Sequence, residues 1–179
     1  MFISQVIDTT IKKVKAQTAN VLTLGNLALG GFSILMTLHA QYHLGLLLIF
    51  VAALADRFDG MVARKLNIES ELGKQLDSMC DIISFGVAPA LLLYIGILSE
   101  FGFPGSFFTV FYIGCGAFRL ARFNISENNG YFHGLPITAA GCLLTLSYLA
   151  IPYLPMPSFM VIIMCLSLLM VSPFKLKKV

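Results

Sequence analysis

The chain has 179 residues, 58% of them hydrophobic and 12% charged, and a formal net charge of +3. A soluble domain usually carries about 25% charged residues and cannot hide that much apolar surface, so lipid is the expected solvent. No nucleic-acid partner is expected, and no apolar core precedes a small-residue cleavage site, so no cleavable leader is expected either.

Residues 1–18 read as an amphipathic juxtamembrane helix. Ile3, Val6, Ile7, Ile11 and Val14 recur at spacings of three and four, with Lys12, Lys13 and Lys15 between and beyond them. Residues 19–179 then form one domain of apolar runs separated by short polar breaks. The fold class expected is an all-α integral membrane protein with six transmembrane helices, at about 19–39, 43–65, 75–98, 103–121, 134–152 and 156–173. The second span is the weakest. Its strictly apolar part, Leu44 to Ala55, is too short to cross a core of about 30 Å at about 1.5 Å per residue. Continuing it through Asp56 to Lys65 supplies the length and keeps the charged end in protein or water.

Six spans place all twelve Lys and Arg residues on one side. The opposite loops, near His39–His43, Ser99–Pro104 and Tyr153–Pro157, contain none. The positive-inside rule therefore puts both termini in the cytoplasm. Cys80, Cys115, Cys142 and Cys165 have no paired spacing and lie in apolar runs, where a thiol acts as a small hydrophobe.

The junction of spans two and three carries the chemistry. A carboxylate within a span costs several kcal/mol unless it is paired or metal-bound, and here Asp56, Asp59, Asp77 and Asp81 flank one cytoplasmic turn. Asp56 and Asp59 are three apart and Asp77 and Asp81 four apart, so each pair shares one helical face. Span two ends where span three begins, so the pairs meet at similar depth. Gly73 and Ser84 extend the second stripe. Gly60 and Ala63 leave room beside the acids, and Arg64 offers a charged fork for a diphosphate. Such an oxygen-rich set suits Mg²⁺ or Mn²⁺, two ions about 4 Å apart, better than zinc. A salt-bridge network with Arg57, Arg64, Lys65 and Lys74 is the bland alternative. Four acids facing one cleft repel unless something strongly cationic lies between them.

The run DRFDGMVARKLNIESELGKQLDSMCD, from Asp56 to Asp81, matches D-x2-D-G-x2-A-R-x8-G-x3-D-x3-D at every defined position. The chain thus resembles the CDP-alcohol phosphatidyltransferase family, over about residues 19–173. The resemblance implies that Asp56 and Asp77 bridge two metal ions, with Asp59 on the first and Asp81 on the second. It makes Asp81 the catalytic base that takes the proton of the attacking alcohol. Gly60, Arg64 and Ser70 would contact CDP-diacylglycerol, with Asp56 and Ala63 beside them. Asn20 and Thr23 resemble the family's N-x2-T element on the facing helix, although Ala19 stands where the family usually has Pro. A homodimer embedded in membrane lipid is also implied.

Three segments resemble the bacterial phosphatidylserine synthase branch: FRLARFN (Phe118–Asn124), FHGLPIT (Phe132–Thr138) and TLGN (Thr23–Asn26). The acceptor expected is therefore L-serine, its carboxylate held by Arg119 or Arg122, with Asn26 and Ser84 as further acceptor contacts. Anchoring at the interface is the competing role for both arginines, and a structural role is the competing one for His133. Glycerol 3-phosphate is the alternative alcohol, although its phosphate would want several basic residues. An intramembrane prenyltransferase would need two separated Asp-rich motifs. A cation transporter would need polar groups through the full membrane thickness.

Overall fold

The computed structural model describes residues 2–66, 71–125, 131–173 and 175–177, with side chains placed for 20–58, 60–61, 71–125 and 134–173. Helix α1 runs from Phe2 to Leu38 and α2 from Tyr42 to Leu66. Helix α3 (Glu71–Asp81) passes through a π-helical turn (Ile82–Val87) into α4 (Ala88–Gly96). A short 3₁₀ turn (Leu98–Phe101) leads to α5 (Phe103–Ile125), followed by α6 (Ile137–Leu149) and α7 (Pro157–Val171). Strands β1 (Tyr131–His133) and β2 (Lys175–Lys177) form one short antiparallel ladder, with Phe132 opposite Leu176. The fold is otherwise helical. The helices correspond in order to the six apolar runs, with one difference at the start: α1 is continuous across residues 18 and 19.

Among the described residues, two helical stretches, Asn20–Leu38 and the rod Glu71–Gly96, are long and apolar enough to cross a membrane. The apolar helices Ile137–Leu149 and Pro157–Val171 are shorter. Large hydrophobic side chains cover the outside, among them Phe32, Leu54, Phe103, Val110 and Leu168. A membrane protein has this surface, because lipid is as good a solvent for leucine as the core is.

Polar groups lie inside. The inner face of α1 carries Thr23, Asn26, Ser33 and Thr37, all buried, at spacings that keep one face inward. Ser33 donates to the Gly45 carbonyl of α2 at 2.8 Å, and Thr37 to the Ser33 carbonyl at 2.9 Å. Between Asn26 and Ser33, Gly30 meets the π-turn, where an added Cβ would lie 2.8 Å from the Ser84 Cα. Only glycine allows that approach. The apolar core proper lies further along, built from Phe85, Leu92, Tyr112, Leu144, Phe159 and Ile163 among others.

The π-turn has a local cause. Pro89, in the first turn of α4, has no N–H and cannot bond the Phe85 carbonyl four residues earlier. The Tyr112 hydroxyl of α5 donates to that carbonyl instead, at 3.3 Å. A wider turn is thereby held within the rod, directly after Asp81.

The segment entering α6 packs on the end of α7. Gly134 adopts φ +73°, with Met170 and Ser172 carbonyls so close that no Cβ fits. Leu135 N–H donates to the Leu169 carbonyl at 3.1 Å.

Candidate active site

Helix α2 carries Asp56 into the junction and α3 carries Asp77 and Asp81 back out of it. Asp56 and Asp77 are half-buried and Asp81 is buried. One carboxylate oxygen from each lies within 4.8 Å of the others. The helical spacings expected to aim these acids at one point do so for these three. Asp59 belongs to α2, but its side chain lies outside the described residues, as do those of Ala63 and Arg64. Ser70 falls outside them entirely.

Three ionised carboxylates at this separation repel. At about 5 Å and an effective dielectric of about 20, each pair of unit charges costs about 3 kcal/mol. A hard divalent cation reverses the sign of that energy, and carboxylate oxygens from two helices are the donors such a cation prefers. The donor set therefore fits Mg²⁺ or Mn²⁺. Of the nearby basic residues, Arg57 is exposed and Lys74 reaches towards α5, its Nζ 3.5 Å from the Asn124 carbonyl. Ser78 strengthens that link through a 3.0 Å hydrogen bond from the Asn124 amide.

Helices α1 and α5 form the walls. Asn20 is half-buried and Thr23 buried on the inner face of α1, and Gly60 is half-buried on α2. Arg119 is 7% exposed on α5, 5.8 Å from the Phe123 ring, and its charge interacts with that of Asp81. Arg122 reaches the end of α7. Its Nη1 donates to the Val171 carbonyl at 3.1 Å and its Nη2 to the Ser172 carbonyl at 3.5 Å, which satisfies the end of α7. Ser84 donates to the Asn26 carbonyl at 3.1 Å and so joins the rod to α1. Of the four residues expected to meet the acceptor, Arg119 and Asn26 are buried in the walls, while Arg122 and Ser84 hold helices together.

Two features of the site were not expected from the sequence. The π-turn directly beyond Asp81 is one, and the signal for it was Pro89 inside span three. The other is the place of α6, which packs against both α2 and the π-turn and so also borders the junction.

The family model described as CDP-alcohol phosphatidyltransferase matches residues 16–173. A CDP-diacylglycerol–serine O-phosphatidyltransferase of Bacillus subtilis is 41% identical over 158 residues, covering 87% of this chain and 86% of that one. The enzyme of the same name from Helicobacter pylori is 38% identical over 133 residues, 73% of this chain and 56% of its own length. This chain therefore spans little more than half of that relative. An archaetidylserine synthase of Methanothermobacter thermautotrophicus is 34% identical over 164 residues, covering 89% and 69% respectively.

Proposed function

The chain belongs to the CDP-alcohol phosphatidyltransferase family, and from that premise we propose that it makes phosphatidylserine from CDP-diacylglycerol and L-serine, releasing CMP. The observation that carries this reading is the meeting of Asp56, Asp77 and Asp81 within 4.8 Å, beside buried Arg119. The names of the relatives support serine as the acceptor.

Asp56, Asp59, Asp77 and Asp81 would hold two divalent ions. When bound, such ions supply positive charge to the diphosphate and make CMP a better leaving group. Asn20, Thr23, Gly60, Ala63, Arg64 and Ser70, with Asp56, would bind the CDP-diacylglycerol head. The serine hydroxyl oxygen attacks the phosphorus that bears the diacylglycerol, and the bond from that phosphorus to the CMP oxygen breaks. Asp81 takes the hydroxyl proton as the new bond forms. Because Arg122 is engaged with α7, Arg119 is the arginine that receives the serine carboxylate.

A lipid substrate requires the site to lie at a membrane surface. Six spans with both termini and the acids at the cytoplasmic side meet that need. They are supported by the apolar exterior and by the confinement of every Lys and Arg to one side in that topology. Residues 1–18 would lie along the surface, residues 19–179 form the catalytic domain, and a homodimer is the working assembly.

An acceptor screen tests the reading. Detergent-purified protein with CDP-diacylglycerol and Mn²⁺ is expected to release CMP with L-serine at least about tenfold faster than with glycerol 3-phosphate. Equal rates would defeat the serine assignment. Metal-dependent ion flux in liposomes without CMP release would replace the enzyme by a transporter.

A further inference from the structure

Among the buried polar residues on the inner face of α1, Asn26 stands apart. Ser33 and Thr37 have their hydrogen bonds, and Thr23 is engaged as well. Asn26 is 0% exposed, and neither its Nδ2 nor its Oδ1 has a hydrogen-bond partner among the described residues. A primary amide held this way has lost its water without compensation, a state that native proteins rarely keep without a use.

Its location suggests the use. The Asn26 carbonyl accepts from Ser84, which lies three residues beyond Asp81 on the same rod. That bond sets the backbone of Asn26 against the rod three residues beyond Asp81. Across the site, Nε of buried Arg119 is a second donor without a partner among the described residues, on a side chain whose charge interacts with Asp81. Asn26 on α1 and Arg119 on α5, two helices that both pack against α3, thus each hold a buried polar group without a partner among the described residues.

We propose that Asn26 is a specificity residue that reads the acceptor as a zwitterion, a role that rests on the serine reading above. Its Nδ2 donates to the carboxylate that Arg119 also receives, and its Oδ1 accepts from the α-ammonium group. Glycerol 3-phosphate has no cationic donor for Oδ1, and its phosphate would set a negative charge against that carbonyl dipole. The same residue thus favours an amino acid and disfavours glycerol 3-phosphate.

The test compares Asn26→Leu and Asn26→Ala with the wild-type protein, by CMP release and by thermal unfolding. Loss of hydrogen bonds to a charged ligand is expected to raise the KM for serine about 30-fold, with the KM for CDP-diacylglycerol within about twofold. Asn26→Leu removes an unsatisfied amide at similar volume. Its Tm without serine is therefore expected to equal or exceed the wild-type value, while the rise in Tm on adding serine disappears. A serine KM within about twofold of wild type in both variants would overturn the proposal. So would a joint rise of both KM values with a lowered Tm, which marks a packing residue. A wild-type protein indifferent to serine defeats the serine reading and takes this inference with it. A serine-specific wild type with unaffected variants defeats this inference alone.

Discussion

Asp81→Asn is expected to reduce CMP release about a thousandfold while CDP-diacylglycerol still binds. The substitution keeps the shape of a buried side chain whose neighbours include Asp56, Asp77 and Arg119. It removes a basic oxygen. A serine hydroxyl is a poor nucleophile until its proton has somewhere to go, and an amide cannot receive it. The remaining acids still present oxygens to the cations, so the loss falls on turnover rather than on binding. Steady-state CMP release and equilibrium binding of CDP-diacylglycerol on the same preparation separate the two. Normal turnover in Asp81→Asn would refute the base role.

Asp56→Asn is expected to act differently. Asp56 is the acid that α2 brings to the two acids of α3, so it would join the two halves of the proposed cation site. Neutralising it should raise both the Mn²⁺ concentration for half-activation and the KM for CDP-diacylglycerol by about tenfold or more. The two constants move together because the diphosphate and the carboxylates share the same cations. A shift in one without the other would place Asp56 outside the shared site.

The sequence made the acidic junction legible because its information is local. Intervals of three and four within Asp56–Asp59 and Asp77–Asp81 fix faces on helices, and a short connection fixes the depth at which the helices meet. The burial of Asp56, Asp77 and Asp81 in one place follows from little else. The order of the helices was legible for a similar reason, since polar breaks between apolar runs mark where the chain turns.

What escaped depended on partners distant in sequence. Ser84 lies three residues after Asp81 and reads as part of the acidic stripe, but it enters a π-turn and meets the Asn26 carbonyl. Arg119 and Arg122 are three apart on α5 and look equivalent, yet one is buried with its Nε unpartnered among the described residues and the other bonds the end of α7. Whether an asparagine is satisfied cannot be read from its own neighbours, because all the helices around it decide the matter. The β1–β2 ladder joins segments more than forty residues apart and has no periodic signal in three residues.

The central claim is that divalent cations hold the carboxylates of α2 and α3 in one working site. CMP release from CDP-diacylglycerol and L-serine, measured before and after exhaustive chelation and again on adding back Mn²⁺ or Mg²⁺, tests it most directly. Complete loss of activity on chelation, and its recovery with the added ion, are expected. Undiminished CMP release from the fully chelated protein would contradict it.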